Sequence, residues 1–283
     1  MVALDYIFPT FANFTLPDLV LSGPNYGDNL GDFAYTGSGT IGATYFSIGR
    51  GIPAIALSAN YLTTTPYFYV NTTTKAGLKD PATIAGELAA NLVQSLIAKA
   101  KGGRVLPLGY GLNVNMPYIT SFDNDSCADP LFIHTRLTGD AWSYGVTFNA
   151  ANGLFTPGLK VGSNATGINV CLNGDCGLIG EMALIAKGCY SAVSVFTVDY
   201  DAPSCGPGAV DQTSLLGSLV QNVNSTALVG GLNETSTVGS NGTVTKPSVT
   251  SSLSAVVTGG AERLMGSQVA AGSLLIFAIL ILL

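Results

Sequence analysis

Two short apolar runs that flank a glycine-rich loop constrain the fold most strongly. Residues 17–22 (PDLVLS) and 53–58 (PAIALS) are nearly continuous in apolar side chains and are bounded by proline or glycine. This pattern is typical of strands that are buried on both faces of a parallel sheet. A glycine-rich loop, residues 23–39, and a helical stretch from about residue 40 to 49 lie between them. The order strand, loop, helix, strand predicts an α/β fold.

The remaining chain extends the α/β pattern. A long amphipathic helix is predicted from Asp80, a candidate N-cap, with Pro81 at its first position, to about residue 101. Further elements are predicted at residues 112–116 (a strand), 121–170 (projecting β-hairpins), 181–187 (a helix) and 190–200 (a closing strand). Beyond Cys205 the periodicity fades. Residues 206–260 are therefore predicted to be a disordered, glycosylated stalk, although residues 215–223 could form a short helix.

The charge content indicates a secreted glycoprotein and argues against a nucleic-acid partner. Only 10% of the residues are charged and the net charge is -6, whereas binding a nucleic-acid duplex requires clustered Lys and Arg. Asn-linked glycans would keep such a surface hydrated. Seven acceptor sequences are present, at Asn13, Asn71, Asn124, Asn164, Asn224, Asn233 and Asn241.

Five cysteines fit an oxidising compartment. Cys171 and Cys176 are close enough in sequence to form a small disulfide loop. Because the number is odd, either one thiol stays free and buried or its partner lies outside this chain.

The C-terminal segment predicts attachment to a membrane. Residues 269–283 are uninterruptedly apolar, and small residues at 259–261 precede them with a polar spacer between. This arrangement is typical of a GPI-attachment signal, placed at residues 261–283; a short tail anchor or a buried core helix is the alternative. Such a signal requires entry into the secretory pathway, but residues 1–16 contain no basic residue. We therefore expect the true N-terminus to lie upstream, and the protein to be extracellular or at the cell surface.

The glycine-rich loop carries the candidate site. It follows the first predicted strand, where open α/β sheets place their ligands. Asn25 and Asn29 offer amide groups that suit a hard divalent cation and phosphate oxygens, or they simply form Asx turns. Ser38, Gly39 and Thr40 come before the helix, where they could present N–H groups and hydroxyls to an anion, or one hydroxyl could serve as an ordinary N-cap.

Residues 17–58 closely resemble the middle of the SurE-type phosphatases and nucleotidases, which carry PDLVVSGxNxGxNxG, YSGTVGAA and GIPAIAvS. Residues 112–117 (LNVNMP) resemble that family's LNVNVP strand, and residues 181–195 resemble its DxxALxxGYVSVTP stretch. The likeness runs from about residue 2 to 201 in the same order. The acceptor-rich tail is similar to the fungal secreted acid phosphatases of the family.

The resemblance implies a three-layer αβα Rossmann-like fold, lacking its first strand or strands, over residues 1–205, with a hairpin extension used in oligomer contacts. It implies hydrolysis of phosphate monoesters, including nucleotides, with Mg²⁺ or Mn²⁺. Asn25 matches a metal-binding Asn, Asn29 a second Asn near the phosphate, and Ser38, Gly39 and Thr40 the phosphate-contacting SGT.

The expected catalytic residues are absent from the chain. No Asn-Asp-Asp-Gly-like run precedes Pro17 and the family's Ser ligand is missing, so we expect catalysis to be incomplete as the sequence stands. The acidic loop at residues 123–129 lacks the spacing of a calcium loop. His134, the only histidine, lacks a G-x-S-x-G partner and is interpreted as structural. The alternative to an enzyme is a non-catalytic, GPI-anchored surface glycoprotein that retains the fold.

Overall fold

The computed structural model of the chain describes residues 2–12, 16–60, 73, 77–119, 127–164, 166–223 and 279–282. The predicted GPI signal is described only at residues 279–282, most of the predicted stalk and the acidic loop up to residue 126 lie outside these ranges, and of the seven acceptor asparagines only Asn164 lies within them. In the described part of the chain, no helix is both long and apolar enough to cross a bilayer. The predictions for the tail and stalk therefore stay predictions.

The described residues form strands and helices that alternate in the first half of the chain. A π-helical segment, Ala3–Ala12, comes first. The elements that follow are β1 (Leu19–Tyr26), α1 (Gly31–Gly37), α2 (Gly39–Gly49), β2 (Ala54–Asn60), α3 (Pro81–Ala100), β3 (Tyr110–Tyr118), β4 (Leu131–Thr135), β5 (Trp142–Asn149), β6 (Leu154–Asn164), α4 (Glu181–Ile185), β7 (Tyr190–Thr197), β8 (Tyr200–Asp201), α5 (Gln212–Leu216), β9 (Val220–Gln221) and β10 (Ile279–Leu282).

One mixed sheet organises the fold, with strand order β10-β1-β2-β3-β7-β4-β9. Strands β1, β2 and β3 are parallel, whereas β7 pairs antiparallel with β3. On the far side of β7, strands β4 and β9 continue parallel to it. The short strand β8 pairs with the end of β7, and β10 pairs antiparallel with β1. The carboxyl ends of β1, β2 and β3 therefore share one edge of the sheet.

Helices cover both faces of this sheet and produce three layers. Helix α3 packs Leu92 and Leu96 on one face, in a core that includes Leu112 and Val114 of β3. On the opposite face, α2 packs Ile41 and Ile48 in a second core with side chains of β1 and β2. This confirms the predicted αβα architecture. Strand β1 reads as a continuous apolar run because it lies between these two layers.

The local signals of the sequence are confirmed for the central elements. Asp80 caps α3 by accepting from the N–H of Ala82 at 2.9 Å, with Pro81 at the first helical position. The predicted strands at residues 17–22, 53–58 and 112–116 correspond to β1, β2 and β3. Likewise the helices predicted near residues 40–49 and 181–187 correspond to α2 and α4.

The later elements differ from the sequence expectation in two places. Among the described residues of the alternating region, β5 and β6 form a separate hairpin, whereas β4 joins the main sheet beside β7. Beyond Cys205, α5 and β9 belong to the folded unit, because Leu216 and Val220 are buried in the core that covers α3. These apolar side chains are too widely spaced to show a helical or strand period in the sequence. They are buried nevertheless, because the sheet supplies a surface for them to pack against.

The cysteines form two disulfides among the described residues. The predicted Cys171–Cys176 loop is present, and Cys127 pairs with Cys189, tying the segment before β4 to the start of β7. Cys205 is free and exposed. Of the two alternatives for the odd thiol, a free and buried cysteine is therefore wrong, and a partner outside this chain stays a prediction.

Candidate functional site

A tight turn leads from β1 to α1 at the carboxyl edge of the sheet. Gly23 has φ of +111°, and a Cβ there would lie 2.1 Å from the carbonyl oxygen of Leu57 in β2. Only glycine lets the two strands approach this closely. The register between β1 and β2 shifts at this point, between Ser22 and Asn25. The shift carries Asn25 to a position beside Ser58, near the end of the buried part of β2.

Asn29 is the centre of the turn and is only 1% exposed. Its Nδ2 donates to Ser58 Oγ, while its Oδ1 accepts from Ser38 Oγ at 2.5 Å and from Asn25 Nδ2 at 3.4 Å. Its backbone is held as well, since the N–H donates to Asn115 Oδ1 at 2.8 Å and the C=O accepts from Asn113 Nδ2 at 3.2 Å. Every polar group of Asn29 is thus engaged by the protein.

Asn25 lies at the surface side of this arrangement and is partly exposed. Its Nδ2 makes both of its hydrogen bonds within the described residues, to Asn29 Oδ1 and, at 3.3 Å, to Ser58 Oγ. Among the described residues no donor to the amide carbonyl oxygen of Asn25 is found, so this oxygen could accept from a ligand or bind a cation. Asn25 and Ser38 both hydrogen-bond to the side chain of Asn29.

Ser38 separates α1 from α2 and caps the second helix. Its Oγ accepts from the N–H groups of Thr40 and Ile41 at 3.1 and 3.2 Å. The ordinary N-cap interpretation thus holds for Ser38, while its hydroxyl proton points at Asn29. Gly39 is exposed at the first turn of α2, whereas Thr40 is only 2% exposed. The structure therefore brings Ser38 and Gly39 to the surface near Asn25 and turns the Thr40 side chain inward.

Two asparagines of β3 support the turn from below. The alternation L-N-V-N-M at residues 112–116 places Asn113 and Asn115 on the face opposite Leu112 and Val114. Both are fully buried. Among the described residues, Asn113 Oδ1 and Asn115 Nδ2 have no hydrogen-bond partner. The sequence analysis placed these residues on a strand but did not assign them to the site, although the alternation could have revealed their shared face.

Glu181, at the start of α4, is a buried carboxyl group that hydrogen-bonds to this turn from a distant part of the chain. It is fully buried and accepts from Gly31 N at 3.1 Å, Asn113 Nδ2 at 3.0 Å and Ser194 Oγ at 2.9 Å. Burial raises the pKa of Glu181 to about 8, against the smaller opposing effect of these three donors. Sequence reasoning read residues 181–187 as a helix and missed this role, because a lone Glu at a helix start is usually solvated.

The turn carries oxygen atoms of the type that binds divalent cations, but it supplies few of them. Asn25 Oδ1 is a neutral oxygen of the type that Mg²⁺ and Mn²⁺ accept. Asp28 is the one carboxylate within residues 23–31, and its Oδ1 accepts from Leu30 N at 3.5 Å. Over the described ranges, no group of three His, Cys, Asp or Glu side chains is arranged to hold a metal ion. The turn alone would form only part of a coordination shell.

Two cavities are lined by residues outside the Asn25 turn. One, of about 500 Å³, is lined by His134 together with Asp211 and Asn222. His134 is buried, with Nδ1 2.7 Å from Asn222 Oδ1 and Nε2 3.1 Å from Gln212 Oε1. These contacts agree with the structural interpretation of His134. The other cavity, of about 410 Å³, lies between α4 and the start of β5 and is lined by Met182 and Trp142.

Comparison with known proteins gives consistent matches. The family model described as Survival protein SurE matches residues 1–142, half of the 283 residues. An acid phosphatase of Yarrowia lipolytica is 44% identical over 203 residues, which is 70% of this chain and 54% of that protein. A 5'-nucleotidase SurE of Methanocella arvoryzae is 40% identical over 102 residues, covering 36% of this chain and 35% of the relative.

Among solved structures, the SurE protein from Aquifex aeolicus matches 69% of this chain and 65% of its own, at 21% identity and a TM-score of 0.42. The chain spans 54% of the length of the acid phosphatase and 35% of that of the 5'-nucleotidase.

Proposed function

The chain belongs to the SurE family, and from this premise we propose that it forms the phosphate-binding part of a divalent-metal-dependent phosphoric monoester hydrolase. The activity would be of the acid phosphatase or 5'(3')-nucleotidase type, acting on small phosphate monoesters or nucleotides. One observation carries the proposal: Asn25 and Ser38, from separate segments of the chain, converge on the Asn29 side chain at the carboxyl edge of the sheet. In open α/β sheets this edge is where ligands bind.

In this proposal Asn25 is a metal ligand through its free carbonyl oxygen. When bound, Mg²⁺ or Mn²⁺ would polarise a phosphoryl oxygen and lower the pKa of a coordinated water. Asn25 holds its carbonyl outward because its Nδ2 is fixed by Asn29 and Ser58. The chain offers no assigned catalytic carboxylate, so a complete reaction would require acidic groups in addition to those described.

Ser38 and Gly39 would contact the phosphate oxygens. They lie at the N-terminus of α2, an eleven-residue helix whose first N–H groups favour an anion. Asn29 would act from below by holding Ser38, since its own groups are already engaged. Thr40 would contribute only its backbone to the phosphate site, because its side chain is buried.

Binding of inorganic phosphate and Mn²⁺ to the full chain tests these roles. If both share the site, each should tighten the binding of the other by the same factor in isothermal titration. Asn25→Ala should abolish this mutual effect, whereas Ser38→Ala should weaken phosphate binding with and without Mn²⁺. Asn152→Ala at the exposed hairpin tip is the matched control and should change neither. Mutual tightening that survives Asn25→Ala would remove Asn25 from the metal site.

A non-catalytic surface protein is the second candidate, favoured by the lack of a three-carboxylate or histidine cluster in the described ranges. Hydrolysis of p-nitrophenyl phosphate by the chain with Mn²⁺ separates the candidates. Hydrolysis lost in Asn25→Ala supports the enzyme, and phosphate binding without any hydrolysis supports a binding module.

We also propose an extracellular location, anchored through the predicted GPI signal. Its support is the pair of disulfides within the folded unit, which persist in oxidising compartments. A homo-oligomer is proposed on the basis of the β5–β6 hairpin, where Val146 is 68% and Phe155 66% exposed. Exposed apolar side chains of this size are typical of a protein contact.

A further inference from the structure

The buried carboxyl of Glu181 joins three elements that meet beneath the Asn25 turn. Its donors belong to the start of α1 (Gly31), to β3 (Asn113) and to β7 (Ser194). The start of α4 is itself fixed to the end of β4, because Glu181 N donates to Arg136 O at 3.0 Å. The backbone of Glu181 is therefore held at the end of β4, and its side chain reaches the turn from this anchored position.

Two of these bonds hold the turn on either side of Leu30. Glu181 Oε1 accepts from the backbone of Gly31 directly, at 3.1 Å. Glu181 Oε2 accepts from Asn113 Nδ2, and the same Nδ2 donates to the carbonyl oxygen of Asn29 at 3.2 Å. One carboxyl group thus holds the backbone of the turn at both Asn29 and Gly31. Since Asn29 in turn holds Ser38 and Asn25, displacement of this backbone would displace both ligand-facing residues.

We infer that Glu181 is the positioning residue of the candidate site, setting the place of the Asn29 turn relative to β3 without touching a ligand. The inference rests on the proposed function for what the turn binds. A misplacement of about 1 Å at a binding or reacting group costs on the order of 100-fold in rate, so an anchor of the turn backbone should influence affinity beyond its influence on folding.

The hydrogen-bond pattern explains why a carboxyl, rather than an amide, is required. In the ionised form Glu181 accepts from all three donors. In the protonated form Oε2 could donate to Ser194 Oγ, because the Ser194 and Thr135 hydroxyls, 2.7 Å apart, can exchange donor and acceptor roles. Both forms still accept from Gly31 and Asn113. A glutamine cannot do so, since its NH₂ group would face either the Gly31 N–H or the Asn113 NH₂.

Glu181→Gln is the decisive variant and Asp201→Asn its matched control. Asp201 is a second buried acidic residue, only 6% exposed, whose pKa is also raised by burial, to about 6. Its carboxyl accepts from the backbone of Ala202 and Leu137 and not from the turn, and it acts on Glu181 only through its charge. We expect Glu181→Gln to weaken binding of inorganic phosphate with Mn²⁺ by about 5–10-fold, the value of one lost buried hydrogen bond. Asp201→Asn should leave this affinity within about 2-fold of wild type, even if it lowers the unfolding midpoint as much as Glu181→Gln does.

Amide hydrogen exchange provides a readout that does not need the ligand. In Glu181→Gln, exchange at residues 29–31 should become about 10-fold faster relative to the rest of the sheet, and Asp201→Asn should not show this local change. If Glu181→Gln does not fold, Asn113→Ala removes the β3 half of the link and should show the same local effect. Unchanged exchange at residues 29–31 would overturn the inference. If wild type binds no phosphate, the proposed function fails, and the exchange result alone decides the role of Glu181.

Discussion

Lowering the pH from 8 to 5 is predicted to stabilise the protein, because two buried carboxyl groups hold their protons more tightly in the folded chain than in the unfolded one. Burial raises the pKa of Glu181 from 4.5 to about 8 and that of Asp201 from 3.8 to about 6. Between the unfolded and folded pKa values the folded state binds more protons. The free energy of unfolding therefore falls as pH rises through about 4.5–8 for Glu181 and 3.8–6 for Asp201.

The size of the effect follows from these values. Each pH unit in the window is worth about 1.4 kcal/mol for a group that is protonated only when folded. Three units from pH 5 to 8 give about 4 kcal/mol for Glu181, and the last unit of the Asp201 window adds about 1 kcal/mol. This is a large share of the about 5–15 kcal/mol that stabilises a typical domain.

Urea unfolding followed by far-UV circular dichroism at pH 5, 6, 7 and 8, with the disulfides intact, measures this dependence. Glu181→Gln cannot ionise, so it should lose the slope of stability against pH that Glu181 contributes between pH 6 and 8. Asp201→Asn should keep that slope and lose only the part below pH 6. A wild-type stability that is constant or increases from pH 5 to 8, or a slope that Glu181→Gln leaves unchanged, would refute the reasoning.

Two further substitutions test the construction of the turn. Asn29→Ala removes three side-chain hydrogen bonds at a buried position and leaves Ser58 Oγ with only the 3.3 Å bond from Asn25 Nδ2, so urea unfolding should show a loss of about 2–4 kcal/mol; a loss below about 1 kcal/mol would contradict the network. Gly23→Ala forces a positive φ on alanine and places a methyl 2.1 Å from a carbonyl of β2, so soluble yield should collapse or stability fall by about 3 kcal/mol or more. Gly37→Ala, with no atom within 4 Å of the added methyl, is its control, and equal losses would show that the crowding at Gly23 is not the cause.

Much of the fold could be predicted because its signals are local. The apolar runs of β1 and β2 and the Asp80 cap of α3 depend on neighbouring residues only. Strand β9 could not be predicted, since its two residues, Val220 and Gln221, are defined only by pairing with β4. Its position depends on a surface that the rest of the sheet creates.

The surface residues of the site could be predicted from the sequence, whereas the buried residues that hold them in place could not. Asn25 and Ser38 lie in a glycine-rich loop whose composition marks it. Glu181 reaches the turn from 150 residues away in the chain, and no sequence period links the two. The burial of Thr40, which is 2% exposed, also could not be predicted, because it depends on how α2 packs against the sheet.

The long-range hydrogen bonds of the Asn29 turn determine when the site forms during folding. Its backbone N–H pairs with a residue 86 positions later, and Gly31 with one 150 positions later. Contacts of such long sequence separation form only after most of the chain has found its topology. The site should thus be absent from any collapsed early species and appear together with the last cooperative step, so that phosphate capture would report completed folding and no excised loop peptide would reproduce it.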